Sequence, residues 1–410
     1  MGRSAAAPHG EEERIPKITI RPVETAEALS GLREAWDALL ERPSGTNPFL
    51  TLEWITSWWK NFGDKHRLFV LAAFDETGAR LKGVAPFMIT RSAGFKVLQF
   101  VGTGLSDRLQ ILLEAGAEDV IDGVFAFLNG RRNVWDIMIL RDVPENDPAL
   151  ARLARLAAQR RWKIRRKRTA VAPYLPVKGN WEDFLASRNS HFRRVQRKKE
   201  ERISRPENEF CVRRIRGNVA EEDIADFKDI LRRSWKGREQ TTAKQGARTE
   251  RFYADFLRAF GTKSWLDLWI GYLNSRPAAY QILFDYKGVI SFYNNGFAKE
   301  FERHSPGSVL MARAIEEAFR LGRTECDFLR GEERFKSQWT VEKRYLEDIV
   351  IVRNTPRSRA AYAAAVLVRW NVERGMRYIA HLYRKRKSGP RERAESQPRE
   401  NGSPEGRAAS

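Results

Sequence analysis

The sequence predicts an α+β protein made of two similar units, each with helices first, then a meander of antiparallel strands, then a helix returning to the sheet. Three observations lead there. A chain of 410 residues is too long for one ordinary core and suits two domains plus tails. Runs with apolar residues in alternation recur between segments of helical spacing. The order of these segments over residues 15–175 repeats over residues 176–355, the mark of a duplicated architecture.

Composition sets further bounds. Hydrophobic residues make up 42% of the chain, with 12 Trp and 23 Phe, enough for a packed body, so only the polar ends lack core-forming residues. A formal charge of +21 draws the chain to polyanions: nucleic acid, anionic lipid, or phosphorylated cofactors and substrates. Cys211 and Cys326 are too few for a disulfide framework, and no Cys/His cluster has metal-ligand spacing; we expect a reducing compartment and no metal. No run reaches membrane-spanning length, and the N-terminus lacks a charged segment followed by an apolar one. The expectation is an unprocessed cytoplasmic protein.

In chain order, residues 1–14 read as a disordered leader. Ile18–Val23 is a strand and Ala26–Leu40 a helix, with Leu29, Leu32, Trp36, Leu39 and Leu40 on its apolar face. A turn at Asn47-Pro48 opens a Trp-rich helix, with Trp54 and Trp58 one turn apart as core residues. Leu68–Phe74 and Leu81–Ile89 form a hairpin across Asp75-Glu76-Thr77-Gly78. Val97–Val101, the Gly102–Asp107 turn, a strand over Leu109–Leu113, a helix over Glu118–Leu128, the strand Val134–Leu140, the helix Ala149–Arg161 and the strand Ile164–Thr169 complete the unit.

The second unit begins with helices over Trp181–Ser187 and His191–Ile203, the latter carrying a dense basic run. The strand Phe210–Ile215 and helices Ile224–Trp235 and Arg248–Phe260 lead to a hairpin of Leu266–Leu273 with Ala278–Phe284. Then comes the stretch that carries most of the functional signal, Val289 to Trp339. Its strand stops at Asn294-Asn295-Gly296, and a Ser305-Pro306-Gly307 turn opens a helix with Val309, Leu310, Ala314, Ile315, Ala318 and Phe319 on one face. Such a turn presents unpaired backbone N–H groups to one spot, a common way to hold phosphate. A short strand, Thr324–Leu329, follows, and Tyr345–Val352 closes the unit. Residues 356–387 read as a basic amphipathic helix that either packs on the body or lies on an anionic membrane, and residues 388–410 as a disordered tail.

Four runs carry a resemblance: Phe292-Tyr293-Asn294-Asn295-Gly296-Phe297; Ser305-Pro306-Gly307; Asp327-Phe328-Leu329-Arg330-Gly331; and Phe335-Lys336-Ser337-Gln338-Trp339. Together they resemble the C-terminal signature of acetyltransferase-like proteins found with bacterial cellulose and exopolysaccharide synthesis genes. That family is similar to the FemAB-type peptidoglycan aminoacyl transferases, and both have the GNAT acyltransferase fold. The Trp54–Trp59 helix, the Gly83-Val84-Ala85-Pro86 strand and the Gly102–Asp107 turn resemble the same family. The resemblance spans about Asn47 to Val352. It implies tandem GNAT-like (acyl-CoA N-acyltransferase) domains, each a mostly antiparallel sheet flanked by helices, with a cleft near their junction. It also implies acyl transfer from acyl-CoA, acetyl-CoA above all. One departure matters: the usual Gln/Arg-x-x-Gly-x-Gly/Ala turn is here His304-Ser305-Pro306-Gly307-Ser308-Val309, and Pro306 removes an N–H donor. An aminoacyl-tRNA donor therefore stays open beside acyl-CoA.

Direct acyl transfer needs a positioned acceptor, a route for its proton and donors facing the oxyanion, and this chain has no Gly-x-Ser-x-Gly elbow or Cys/His pair for covalent catalysis. In the family likeness Lys336 lies in the active site, stabilising phosphate or oxyanion; the plain reading is a surface lysine beside a buried Phe335. Asp327, at a strand end, either orients substrate and takes a proton or caps the segment after Gly331. Asp107 divides in the same way between catalysis and loop hydrogen bonds. His304 titrates near neutrality or is structural. Tyr293, Asn295, Phe335 and Trp339 are candidate acceptor contacts, or core and turn residues. Ser305, Gly307 and Ser308 are the candidate donor cradle. Arg193, Arg194 and Lys198 are, on the FemAB likeness, phosphate partners of a carrier substrate, and otherwise a solvated helix face. The leading expectation is an acyltransferase of cell-envelope or exopolysaccharide metabolism, cytoplasmic or peripheral at the inner membrane, acting on a small-molecule or carrier-linked acceptor. Beside it stand a tRNA-dependent aminoacyl transferase acting on a cell-wall precursor, and a non-catalytic basic protein binding anionic membrane or nucleic acid.

Overall fold

The computed structural model describes residues 18–42, 47–234 and 243–366. The N-terminal leader, the C-terminal tail and the basic helical pattern beyond Val366 lie outside the described residues. Strand β1 (Thr19–Val23) leads into α1 (Ala26–Ser30) and α2 (Arg33–Glu41), so the single helix expected over Ala26–Leu40 is broken, at Gly31, the poorest helix former in the run. Helix α3 (Leu52–Phe62) starts where the Thr51 hydroxyl accepts a hydrogen bond from the Trp54 N–H at 3.3 Å. Strands β2 (His66–Phe74), β3 (Leu81–Ser92) and β4 (Phe95–Phe100) form an antiparallel meander. Of the strand expected over Leu109–Leu113 only β5 (Leu112–Leu113) forms. The Leu109 N–H is spent on the Asp142 carbonyl and the Gln110 amide on Asp147, which hold the preceding residues as a loop.

The chain continues through α4 (Asp119–Gly130), β6 (Ile137–Pro144), α5 (Pro148–Gln159) and the long β7 (Lys163–Pro176). The second half comprises α6 (Trp181–Ser187), α7 (Ser190–Ile203), β8 (Cys211–Ile215), α8 (Glu221–Arg233), α9 (Ala243–Thr262), β9 (Leu266–Leu273), β10 (Arg276–Tyr286) and β11 (Val289–Phe297). It ends with α10 (Pro306–Arg320), β12 (Glu325–Asp327), α11 (Arg334–Ser337) and β13 (Lys343–Val352), followed by a helix over 356–366. Asn274 and Ser275, both at positive φ (48° and 60°), make the two-residue turn joining β9 to β10, the backbone twist that a tight hairpin requires.

The strands form one sheet in the order β1-β2-β3-β4-β6-β13-β7-β12-β11-β10-β9-β8, with β5 paired to β3. The closing strand of the second half, β13, does not join its own half. It lies between β6 and β7, bonded antiparallel to both, while β7 pairs at its far end with β12. The halves are thus stitched together by exchanged strands.

A shared aromatic core adds to this. Trp54, fully buried, has its ring 5.2–6.1 Å from the rings of Phe252, Phe256, Phe260, Phe284 and Tyr293, all from the second half. Its indole N–H donates to Ser106 Oγ at 2.8 Å, across the base of the Gly102–Asp107 loop. Trp54→Phe keeps most of the packing and removes that donor. It is expected to cost about 1–3 kcal/mol in a urea melt and to make the loop easier to cleave by limited proteolysis; an unchanged midpoint and cleavage rate would show the bond to be idle.

Candidate active site

Where β11 and β12 run side by side they are parallel and paired only from Val289/Glu325 to Ser291/Asp327. Beyond that point β12 ends and the chain turns away through Leu329 (φ 55°) and Gly331 (φ 124°), whereas β11 runs on to Phe297. The strand therefore does not stop at Asn294, as its polar end led us to expect. Asn294 and Asn295 stay paired to β10, and the irregularity is a bulge: Ile282 faces Asn294 and Leu283 faces Phe292, leaving Tyr293 without a partner on β10. A wedge opens between the two diverging strands.

One side of the wedge is a cavity of about 300 Å³ beside the start of α10, lined by Asn295, Gly307, Ser308, Phe335 and Trp339 among the expected residues, and by Gln196 and Lys199 of α7. Ser305 is absent from the lining. It sits before the helix in the left-handed region (φ 55°), and its carbonyl accepts the N–H groups of both Ser308 and Val309, at 3.0 and 3.2 Å. Since Pro306 has no N–H, the expected cradle of several N–H groups shrinks to that of Gly307. The remaining positive charge at the cavity comes from Lys199, which has no ion-pair partner among the described residues and whose ammonium burial holds below its ordinary pKa. Lys198 is exposed instead, and Arg193 and Arg194 are exposed along a separate, wider cavity of about 800 Å³ between α6, α7 and α10. The inward stripe of α7 runs Phe192, Gln196, Lys199, Ile203, a helical spacing that the dense run of cations obscured.

On the other side lies the Gly102–Asp107 loop. Gly102 (φ 95°) is obligatory, because a Cβ there would stand 2.4 Å from Ser106 Oγ. The loop is held from both halves: by Trp54 as above, by the Tyr293 hydroxyl donating to the Leu105 carbonyl at 3.1 Å, and by the Arg108 guanidinium bonded to the Asp327 carboxylate. Asp327 is 1% exposed, its second oxygen accepts the Leu329 N–H at 2.9 Å, and Arg344 approaches at 3.9 Å. It is a buried strut, neither a cleft-facing proton acceptor nor a cap for the segment after Gly331; the following helix α11 starts at Arg334, with Glu333 in the N-cap position. His304 lies apart from the cavity, its Nε2 accepting from Arg303 Nε at 2.9 Å, with burial and the neighbouring Arg303 and Arg202 holding its pKa low.

Asp107 is different. Among the described residues no hydrogen bond reaches its carboxylate, which sits in a field set by Lys336, Arg330, Asp142 and Asp327. Burial pushes its pKa up to about 7, against the opposing pull of Lys336 and then Arg330. Lys336 is itself buried (6% exposed), its ammonium donating to the Arg330 carbonyl at 2.6 Å and pairing with Glu333 at 3.0 Å; an ammonium has three N–H donors, so one is left over. Arg330 in turn bonds Asp142 at 2.7 Å. Beside Asp107 stand Tyr293 and Tyr253, whose hydroxyls interact and whose pKa values burial raises, Tyr253 to about 12; Asn294 donates to the Tyr253 oxygen. Sequence reasoning named Asp107, Lys336 and Tyr293 separately. It missed Arg108, Asp142, Tyr253, Lys199 and Gln196, of which only the α7 pair left a periodic signal.

Among the described residues no group of His, Cys, Asp or Glu is arranged to hold a metal ion, and no helix is long and apolar enough to cross a membrane. Residues 190–337 match the family model of the acetyltransferase (GNAT) domain. The fold is similar to that of FemX, at 11% identity and a TM-score of 0.57, over 80% of this chain and 98% of that one. It is similar also to the C-terminal domain of a protein described as a lysylphosphatidylglycerol synthetase from Agrobacterium fabrum, at 11% identity and a TM-score of 0.53, over 84% and 96% of the two chains. A conserved protein of unknown function from Bacteroides thetaiotaomicron is similar at 11% identity and a TM-score of 0.52, over 82% and 100%. No curated protein matches the chain. The fold is GNAT-like, a mixed sheet flanked by helices, and the chain is an acyltransferase of the GNAT-like superfamily, a class for which an acyl-CoA donor is implied.

Proposed function

We propose that this acyltransferase transfers an acyl group from acyl-CoA directly to an amine or hydroxyl of a cell-envelope or exopolysaccharide precursor, with Asp107 as general base. The observation that carries the reading is a carboxyl poised near neutrality, free of hydrogen bonds among the described residues and next to a buried ammonium, at the mouth of a wedge in the sheet. A general base works best when its pKa is close to the ambient pH, and ordinary carboxyls are too acidic for that. The acceptor's N–H or O–H proton passes to Asp107 as its lone pair attacks the acyl carbon, and returns to the leaving group. Lys336, with a donor to spare, faces the charge that develops on the carbonyl oxygen.

The cavity beside α10 suits a slender donor arm: Phe297, Met311, Phe335 and Trp339 supply apolar walls, and Gln196 and Asn295 supply amide partners. A thioester bound there would supply the activated acyl group. Its phosphates find one backbone N–H at Gly307, so Lys199 has to supply the charge that the usual glycine-rich turn shares among several amides. Lys199→Ala is accordingly expected to raise KM for acyl-CoA about tenfold with kcat changed less than twofold. Calorimetric titration of the wild-type chain with acetyl-CoA and longer acyl-CoAs tests the donor itself; no heat with any of them would sink the CoA reading.

The single available N–H at the α10 turn favours one further reading. An aminoacyl ester on tRNA needs no diphosphate cradle, and the exposed Arg193, Arg194 and Arg197 beside the wider cavity suit a polyanionic carrier. The names of the similar folds, FemX and a lysylphosphatidylglycerol synthetase, fit aminoacyl transfer to a wall or lipid acceptor. Transfer of a radiolabelled amino acid from charged tRNA, with none from acyl-CoA, would establish this second reading in place of the first.

A further inference from the structure

Strand β7 carries the run Lys163-Ile164-Arg165-Arg166-Lys167-Arg168, and its pleat sorts these side chains onto two faces. On one face the charges are matched: Arg166 pairs with Glu347, and Arg168 with Glu145 at 2.7 Å. On the other, Lys163, Arg165 and Lys167 are exposed, and none is in an ion pair among the described residues. The orientation of this second face is given by Lys163, whose ammonium lies 4.6 Å from the ring centre of Tyr362 in the helix over 356–366. On β13 half-buried Val350 stands opposite Arg165, with Ile139 beyond it on β6, and Asp348 stands opposite Lys167, its carboxylate accepting the Asp142 N–H at 3.3 Å.

At the Lys163 end the row runs into a concavity of about 520 Å³ lined by Arg161, Lys163, Arg353 and Arg359 together with Asn354 and Tyr362, and by no acidic residue. Arg353 forms its floor. It is 5% exposed, its terminal nitrogens are bound to backbone carbonyls of Leu128, Arg131, Arg132 and Trp135, and its Nε has no partner. Along β7 from Lys163 to Tyr174 is roughly 36 Å at about 3.3 Å per residue, so this end lies far from the wedge that holds Asp107.

We propose that this face docks on an anionic phospholipid bilayer, with the concavity taking a headgroup phosphate and the cation row lying along the surface. Three exposed cations in a row beside a single carboxylate, next to a cluster of cations that no carboxylate lines, are complementary to a plane of phosphates. The apolar neighbours favour a bilayer over nucleic acid. Val366, the last described residue of the helix that borders the concavity, is 46% exposed, and the sequence continues with Leu367, Trp370, Met376 and Ile379 interspersed with Arg369, Arg374 and Arg377. Among the described residues, the row has no stacking platform of exposed aromatic side chains of the kind that a single-stranded nucleic acid uses.

The test is vesicle sedimentation of the full chain, wild type against K163E/R165E/K167E and the milder K163Q/R165Q/K167Q. Folding is checked by thermal melting, and acyl transfer to a soluble acceptor is expected to be unchanged. Phosphatidylcholine vesicles with about one third phosphatidylglycerol should bind the wild type and lose it on the order of a hundredfold on charge reversal, at about fivefold per cation. Pure phosphatidylcholine should bind neither. Equal binding by the wild type and the charge-reversed chain overturns the proposal. So does displacement from the vesicles by millimolar inorganic phosphate but not by chloride of equal ionic strength, which would identify a free-phosphate site. An RNA oligonucleotide bound through the same three residues, with no vesicle binding, overturns it in favour of nucleic acid.

Discussion

Replacing Asp107 by Asn is expected to slow acyl transfer by about 10²–10⁴-fold and, at the same time, to stabilise the protein at pH 8. Both effects come from one cause. The folded carboxyl is pushed up from the ordinary 3.8 to about 7 by burial. Below about pH 4 the carboxyl is protonated in the folded and the unfolded chain, and folding bears no electrostatic cost. As pH rises towards 7 the unfolded chain ionises while the folded one does not, and stability is progressively lost. Above 7 the folded chain carries an ionised buried carboxylate at full cost. The interval corresponds to about 4 kcal/mol, reduced to roughly 2–3 kcal/mol because Asp107 is only half-buried by its surface accessibility. Asn does not ionise, so melting temperatures of wild type and variant should be close at pH 4 and diverge by several degrees at pH 8, the variant being higher. In parallel, kcat/KM of the wild type should rise with pH through a midpoint near 7. A D107N enzyme that keeps the activity and the same rising limb would end the assignment of Asp107 as base, whatever its stability.

Arg108→Met should give the largest loss of stability, about 3–5 kcal/mol in denaturant melts. Arg108 sits on the loop of the first half and Asp327 at the end of β12 in the second, and the pair is 14% and 1% exposed. Removing the guanidinium strands a carboxylate in the interior, with only the more distant Arg344 at 3.9 Å to compensate. The cost is that of the orphaned charge and not of the bond alone, so R108M/D327N should recover a large part of it, with a coupling of at least about 1–2 kcal/mol in the double-mutant cycle. A cost below about 1 kcal/mol for R108M, or strict additivity in the double variant, would show that the strut does not hold the halves together. The single variant should also lower kcat, since the same pair sets the spacing of the Asp107 loop against the end of β12.

Much of the fold was legible because it is written in local periodicity. The hairpins at Asp75–Gly78 and Asn274-Ser275, the Trp-rich helix, α6, and the helix after Ser305-Pro306-Gly307 all lie where alternation, capping and turn residues put them. The errors have local causes as well. Gly31 split a helix, hydrogen bonds from Leu109 to Asp142 and from Gln110 to Asp147 dissolved most of a strand, and Asn294-Asn295 read as a strand end although the ladder to β10 absorbs them. The candidate site was half legible. Lys336 and Tyr293 stood out through a resemblance, whereas Lys199 hid in a helix where almost every neighbour is also a cation.

By itself, then, the sequence determined the α+β class, the apolar faces that make it fold, and the short list from which a candidate acyl-transfer site had to be drawn. Only the tertiary structure decided that β13 crosses into the first half, that Asp327 is a strut, that the helix turn keeps one N–H, and that Asp107 is the carboxyl poised near neutrality. The division has a simple basis. Periodicity and capping depend on neighbours within a few residues. A pKa or an ion pair depends on what is packed alongside, and Asp107, Arg108 and Trp54 find their partners roughly two hundred residues away, where no local pattern can register them.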